Sequence, residues 1–242
     1  MTPRILLAVA GRVLNQIRRD HRTLAMLLVL PCALMTLLWW MFDDLTFRAL
    51  GPALLALFPF IIMFLVTSVT TLRERTSGTL ERLLAMPMGK LDFLGGYALA
   101  FGLVAAVQSA LAVGLSVLVL GLDVQGPVWM LTLVAIADAV LGTALGLFVS
   151  AFARTEFQAV QFMPAVVIPQ ILLCGLFVAR DAMPAVLGFI SDLLPLSYAV
   201  DAMQGVAQDI ALAEITRDLG IVVAFAAAGL ALGAVTLRRQ SA

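Results

Sequence analysis

The stretch ALGPALLALFPFIIMFLVTSVTTL, residues 49–72, contains no charged side chain. A helix that crosses about 30 Å of hydrocarbon needs roughly 20 mostly apolar residues, so this stretch is long enough to span a bilayer. The whole chain points the same way, because 62% of its 242 residues are hydrophobic and 12% are charged, against about 45–50% and about 25% in soluble proteins. The chain is therefore predicted to be a membrane protein, since a soluble protein could not hide so much apolar surface.

Six stretches in total are long and apolar enough to cross the membrane, which predicts an all-α membrane protein. The predicted spans cover residues 23–42, 49–72, 94–120, 128–152, 162–179 and 219–237. Only the segment GLDVQGP, residues 121–127, separates the third span from the fourth. Its two glycines and its proline favour a tight polar turn over continued helix.

The basic residues predict the orientation of the chain. If the N-terminus is cytoplasmic, then of the 15 Lys and Arg residues only Arg48, Arg180 and Arg217 lie on the outer side. Because cytoplasmic loops carry an excess of Lys and Arg, both termini are predicted to be cytoplasmic.

Residues 1–22 are predicted to form a basic amphipathic helix in the inner membrane interface. On a helical projection, one face carries Arg4, Arg12, Asn15, Arg18, Arg19 and Arg22, and the other carries Leu6, Val9, Val13, Leu14 and Ile17. Such a helix lies with its apolar face against lipid, whereas a cleaved signal has a continuous apolar core. The alternative is a positively charged flank that only sets the topology.

The inner loop, residues 73–93, is longer than a plain connector. Thr79 is a candidate N-cap, Leu80, Leu83 and Leu84 share one face, and Pro87 ends the pattern, which predicts a helix of about two turns. A short amphipathic helix outside the membrane suggests a docking surface for another protein. The alternative is a solvated loop that only sets the topology.

The outer segment, residues 180–218, is too interrupted to span, because Pro184 and Pro195 both break helix. It is also too apolar for a solvated loop. Two short helices, over residues 185–194 and 197–208, are predicted to lie on the outer leaflet or to re-enter it. Such a segment suits an outer gate, and a simple external cap is the competing interpretation.

Asp138 lies near the centre of the fourth span, and Gln108 lies at similar depth in the third. An intramembrane acid suggests a function by default. The alternative is a structural hydrogen bond between a protonated Asp138 and Gln108. Gly142–Gly146 and Gly229–Gly233 have the spacing that lets helices approach closely, which is compatible with packing between subunits.

Several kinds of chemistry are poorly supported by the sequence. It lacks the G-x-x-x-x-G-K-[ST] phosphate loop, so no ATP site is expected on this chain. With one histidine and two separated cysteines, neither a metal site nor a cofactor nor a catalytic nucleophile is expected, and the chain is predicted not to be an enzyme.

Three passages resemble the permease subunits of ABC-2 type bacterial exporters, the group that includes antibiotic-resistance and nodulation-factor permeases. The passages are RERTSGTLERLLAMPM (residues 73–88), GTALGLFVSAFARTE (142–156) and PQILLCGLFVARDAMPAVLGFISDLLPLSYAVDA (169–202). The family's E-x-x-x-G-T-L-E-x-L-x-x-x-P pattern is matched at Glu74, Gly78, Thr79, Leu80, Glu81 and Pro87. The outer signature is matched at Gly175, Met183, Pro184, Pro195, Tyr198 and Asp201. The chain has Ala179 where a proline often follows the fifth span.

This resemblance implies an N-terminal interfacial helix (residues 1–22) followed by a six-span transmembrane domain (residues 23–242). It implies a pair of permease subunits, as a homodimer or with a relative, and two copies of a separate subunit that holds ATP and Mg. It also implies location in the bacterial inner membrane and transport outward, including drug efflux. The residues that would couple to the ATPase subunit are Glu74, Gly78, Thr79, Leu80, Glu81, Arg82, Leu83, Leu84 and Pro87.

The scarcity of charge in the spans favours an apolar or amphipathic cargo, such as a drug or a lipid-linked molecule. Two other functions stay open from the sequence alone. One is a stand-alone secondary transporter coupled through Asp138, and the other is a membrane scaffold that transports nothing.

Overall fold

The computed structural model describes residues 3–76 and 90–236, without the side chains of 90–94 and 234. This part of the chain forms nine α-helices and one 3-10 turn, and no strand. The helices are α1 (Pro3–Arg19), α2 (His21–Met41), α3 (Asp44–Thr76), α4 (Lys90–Leu118), α5 (Val128–Ser150), α6 (Glu156–Leu173), α7 (Ala185–Asp192), α8 (Pro195–Ala207) and α9 (Leu212–Thr236). The 3-10 turn, Arg180–Ala182, lies between α6 and α7.

The prediction of six spans is confirmed, since α2, α3, α4, α5, α6 and α9 are each long and apolar enough to cross a membrane. Four predicted bounds differ from the helix ends by five to seven residues, and two of them are the start of α3, at Asp44 rather than 49, and the end of α6, at Leu173 rather than 179. Helix α6 begins at Glu156 rather than 162, because the Thr155 side chain caps it by accepting from the Gln158 amide at 3.2 Å. Helix α9 begins at Leu212 rather than 219, and it accommodates Arg217 and Asp218 because the two side chains pair at 2.9 Å.

Helix α1 forms as predicted, but its apolar face contacts protein. Val9, Val13 and Ile17 are at most 5% exposed and share a core with Tyr97 and Phe101 of α4. The expectation that this face lies against lipid is therefore wrong for these residues. Packing on α4 instead gives α1 a fixed place in the bundle.

The junction between α1 and α2 is capped by Asp20. Its carboxylate accepts hydrogen bonds from the Thr23 hydroxyl at 2.7 Å and from the Thr23 and Arg22 amides at 3.2 Å. These bonds, of which the one from the Thr23 hydroxyl is the largest cause, hold the pKa of Asp20 below its usual value. The cap explains why the chain starts a second helix at His21.

Helix α3 lies at the centre of the bundle and packs most closely on α5. Cβ atoms added to Gly142 and Gly146 would lie 2.5 Å from the carbonyl oxygens of Phe60 and Phe64 on α3. A Cβ on Gly229 of α9 would lie 3.3 Å from the Ala144 side chain on α5. The glycine pairs therefore serve contacts within one chain, and packing between subunits is not needed to explain them.

We expect Gly146→Ala to lower the free energy of unfolding by about 1–3 kcal/mol, because the added methyl meets backbone that cannot rotate away. Gly114→Ala is the matched control, since a Cβ there meets nothing within 4 Å. In that variant the gain in helix propensity is expected to leave stability unchanged or raised by up to about 1 kcal/mol. Thermal unfolding of both variants in the same detergent measures the difference, and equal destabilisation would contradict this packing.

The short helices α7 and α8 follow α6 and are bent by 90° relative to each other. Their bounds lie close to the predicted 185–194 and 197–208, so the prediction of two short helices is confirmed, and their place at the outer leaflet stays a prediction. The loop between α4 and α5 rests on the end of α8, because the Gln125 and Gly126 amides donate to the carbonyls of Ala207 and Val206 at 3.0 Å. We call this end of the bundle the α8 end, and the opposite one, where α1 packs, the α1 end.

Candidate functional site

At the α1 end, three helices converge on one buried carboxylate. Glu74, in the last turn of α3, is 4% exposed and forms an ion pair with Arg12 of α1 at 2.6 Å. It also accepts a hydrogen bond from the buried Tyr97 hydroxyl of α4. The junction of Arg12, Glu74 and Tyr97 therefore fixes α3 to α1 and α4 close to the point where α3 ends at Thr76.

Two further contacts hold the end of α3. Arg73 donates to both carboxylate oxygens of Glu156, at the start of α6, at 2.7 and 2.9 Å. Arg75 donates to the Ser150 carbonyl, at the end of α5, at 2.5 Å. The end of α3 is thus tied to four other helices, so a displacement of this end would be transmitted across the bundle.

Most of the predicted coupling residues lie outside the described residues: Gly78, Thr79, Leu80, Glu81, Arg82, Leu83, Leu84 and Pro87. The short helix expected there stays a prediction. The sequence singled out Glu74 but not its pairing with Arg12 and Tyr97. Tyr97 is one of only two tyrosines in the chain. Its position near the start of an apolar helix was the one feature of the sequence that could have marked it as a partner of Glu74.

The buried polar residues Asp138 and Gln108 do not form the expected hydrogen bond. Both side chains are 0% exposed, and none of their polar atoms has a hydrogen-bond partner among the described residues. Asp138 lies one helical turn before Gly142, on the face of α5 that packs against α3. The contact between α4 and α5 is made instead by Ser109, whose hydroxyl donates to the Ala135 carbonyl at 3.0 Å.

At the α8 end, the side chain of Arg180 joins three short elements. It pairs with Asp192 at the end of α7 and with Asp201 in α8, and its guanidinium lies 4.8 Å from the centre of the Tyr198 ring. Burial lowers the pKa of Arg180, but the carboxylate of Asp201 and hydrogen bonds to both acids outweigh it, so the net pKa is raised. Arg180 therefore stays charged.

A cavity of about 610 Å³ opens beside this cluster. It is lined by Arg180, Asp181, Gly188, Asp192, Tyr198, Asp201, Arg217 and Ile221. Of the predicted gate residues, Tyr198 and Asp201 line the cavity, whereas Met183 and Pro184 only connect the 3-10 turn to α7 and Pro195 begins α8. The sequence missed the role of Arg180, which its pattern marks only as a charge on the outer side.

Within residues 3–76 and 90–236, no group of three or more His, Cys, Asp or Glu side chains is placed to hold a metal ion. Cys32 and Cys174 are both free thiols. The arrangement at the two ends of the bundle is therefore built from ion pairs and hydrogen bonds between helices.

A comparison with protein families matches residues 5–207 to the family described as ABC-2 type transporter. The match covers both the α1 end and the α7–α8 segment, so the two candidate regions lie inside it.

Among curated proteins, the chain is similar to the "Probable multidrug ABC transporter permease YbhS" of Escherichia coli (strain K12), with 26% identity over 63% of the chain and 41% of the relative. It is 25% identical to the "Linearmycin resistance permease protein LnrN" of Bacillus subtilis (strain 168), over 81% of the chain and 50% of the relative. It is also 25% identical to "ABC transporter G family member 20" of Dictyostelium discoideum, over 65% of the chain and 22% of that protein. In each case the match spans half of the relative's length or less.

Proposed function

Since the chain belongs to the ABC-2 type transporter family, it is a membrane subunit of an ABC transporter, and we propose that it exports a substrate from the cytoplasm. In this proposal a separate ATP-binding cassette subunit hydrolyses ATP and drives the transport. Two copies of that subunit serve two permease subunits, the second being a copy of this chain. The membrane is the bacterial inner membrane, and both termini are cytoplasmic.

The observation that carries this proposal is the junction of Arg12, Glu74 and Tyr97. A cassette subunit that moved residues 77–89 would act directly on the end of α3, since Glu74 lies three residues before this segment. The ion pair to α1 and the hydrogen bond to α4 would carry the displacement into the bundle. A rigid-body response of this kind is one of the standard ways in which a local push becomes a change across a membrane protein.

The proposed cargo is apolar or amphipathic. The names of two relatives support drug or antibiotic export, since one is a probable multidrug permease and the other a linearmycin resistance permease. Asp138 and Gln108, two polar residues in the described spanning helices, are both 0% exposed. Neither side chain is therefore placed to contact a polar cargo, which agrees with an apolar or amphipathic one.

A second candidate function is supported by a specific observation. Asp138 is fully buried without a hydrogen-bond partner in the described part of the chain, and intramembrane acids often take part in proton-coupled transport. A secondary transporter coupled through Asp138 would need neither ATP nor a cassette subunit.

Purification of the tagged chain in a mild detergent tests the proposal. By native mass spectrometry we expect a complex with two permease and two cassette subunits. We also expect this complex to hydrolyse ATP at a rate that changes when an amphipathic dye such as ethidium is added. A cysteine at Leu83 is expected to crosslink to the cassette subunit, whereas a cysteine at Trp129, at the other end of the bundle, is not. A chain that transports while bound to no ATPase would overturn the proposal.

A further inference from the structure

The helix α7 is held to the rest of the chain by polar contacts. Ser191 is its one buried residue, while Val186 and Phe189 are 72% and 65% exposed. Apolar burial therefore contributes little to its position within the chain. The contacts that do fix it are the ion pair of Asp192 with Arg180 and the hydrogen bond from the Ser191 hydroxyl to the Leu173 carbonyl at 2.7 Å.

The helix α8 is joined to α7 through the same arginine. Arg180 pairs with Asp201 of α8 as well as with Asp192, and its side chain is only 18% exposed. Tyr198 of α8 packs its ring against the guanidinium and donates its hydroxyl to the Asp192 carbonyl at 2.8 Å. The planar guanidinium is suited to this, because it offers donors in several directions at once.

The two helices contact the end of α6 beside Cys174, where the hydroxyls of Ser191 in α7 and Ser197 in α8 donate to the Leu173 carbonyl. This thiol is 0% exposed and precedes Gly175, whose φ of +90° turns the chain away from α6. A Cβ on Gly175 would lie 3.6 Å from Cγ of Arg180 and 3.9 Å from Oδ1 of Asp201. The Arg180 cluster therefore lies directly over the turn that follows Cys174.

We propose that Arg180 is a positioning residue that holds α7 and α8 closed over the end of α6, and that its pairs with Asp192 and Asp201 break when this segment opens. A single side chain that satisfies carboxylates on two helices gives the segment two discrete arrangements, paired and unpaired. The description of this movement as an outer gate rests on the proposed function. The pairing of Arg180 with Asp192 and Asp201, which we call the closing contact, does not rest on the proposed function, because it is made within this chain.

Cys174 provides a native probe for the closing contact. In a Cys32→Ala background it is the one remaining cysteine, and because its side chain is 0% exposed, we expect it to react with a maleimide only when the segment opens. We expect Arg180→Gln to raise the rate of Cys174 labelling about tenfold or more in the full chain in lipid nanodiscs, where both faces are accessible. A tenfold rise corresponds to about 1.4 kcal/mol less stability of the closed arrangement. Arg180→Lys keeps the positive charge but lacks the planar guanidinium. Its rate of Cys174 labelling is expected to lie between the rates of the parent and of the Arg180→Gln variant.

Two controls separate local opening from a general loss of structure. Arg217 also lines the cavity, but it pairs with its neighbour Asp218 and its side chain is 69% exposed, so Arg217→Gln is expected to leave the labelling of Cys174 unchanged. Ala159 of α6 is 0% exposed and packs near Leu72, away from Arg180. A cysteine placed there, with Cys174→Ala, is expected to stay protected in the Arg180→Gln variant.

Equal rates of Cys174 labelling in the parent and in the Arg180→Gln variant would overturn the proposal. So would an Ala159 probe that becomes reactive as fast as Cys174, because Arg180 would then support the whole bundle. The labelling uses neither ATP nor a cassette subunit, so its failure leaves the proposed export function untouched. Failure of ATP-driven transport would likewise leave the labelling result in place.

Discussion

Glu74→Gln is expected to lower the free energy of unfolding by about 2 kcal/mol and to reduce ATP-driven transport about tenfold or more. Glu74 is 4% exposed and meets Arg12 at 2.6 Å. Removing one member of a buried ion pair typically costs about 3–5 kcal/mol, because the other charge stays desolvated. The cost here is smaller because the Arg12 side chain is 34% exposed and water reaches it.

The loss of transport follows from the position of Glu74. Its carboxylate is the contact that fixes the end of α3 to both α1 and α4. A junction weakened by about 2 kcal/mol shifts the equilibrium between its fixed and released states about thirtyfold toward the released state. Chemical denaturation and ATP-dependent dye uptake, measured on the same preparation, check the two parts of this prediction.

The matched control is Glu156→Gln, which breaks the neighbouring pair with Arg73. That pair has good geometry, but its two side chains are 58% and 50% exposed. Exposed ion pairs contribute about 0–1 kcal/mol, so this variant is expected to keep both its stability and its transport. A double-mutant cycle with Arg12→Gln then isolates the coupling between Arg12 and Glu74. If the two Glu variants behave alike, the junction has no special role.

Asp138→Val is expected to stabilise the protein by about 1–3 kcal/mol. The Asp138 carboxyl is fully buried, and neither of its oxygens has a hydrogen-bond partner among the described residues. Burying such a group costs about 1–3 kcal/mol on the scale of mutational data. Valine is apolar and slightly larger than aspartate, so the substitution removes this cost and leaves no cavity.

Asp138→Asn is the control for this prediction, because the amide keeps the size and the polarity of the side chain. We expect it to leave the stability of the protein within about 0.5 kcal/mol of the parent. The midpoint of unfolding in detergent, measured for the parent, Asp138→Val and Asp138→Asn, checks this prediction. A valine variant that is less stable than the parent would mean that Asp138 has a partner in the assembled transporter.

The spans were predictable because they depend on local properties of the sequence. Runs of apolar residues long enough to cross a bilayer identified all six spanning helices, and Pro184 and Pro195 marked the starts of α7 and α8. The early start of α6 was missed because Glu156, Gln158 and Gln161 interrupt the apolar run in its first turns. Length and hydropathy find the apolar part of a helix better than its polar ends.

The partners of the charged residues could not be read from the sequence. Arg12 and Glu74 are 62 positions apart, and Arg180 and Asp201 are 21 apart. Pairs of this kind depend on how helices pack, which periodicity within one helix does not determine. The face of α1 was misjudged for the same reason, because an apolar stripe that suits lipid also suits the surface of α4.

The most direct test of the central claim uses proteoliposomes that contain the purified complex. It measures the accumulation of ethidium inside them against its concentration gradient. We predict that ATP drives accumulation when an uncoupler has collapsed the proton gradient, and that the Asp138→Asn variant does the same. Accumulation that a proton gradient drives without ATP, and that Asp138→Asn abolishes, would contradict the account and favour a secondary transporter.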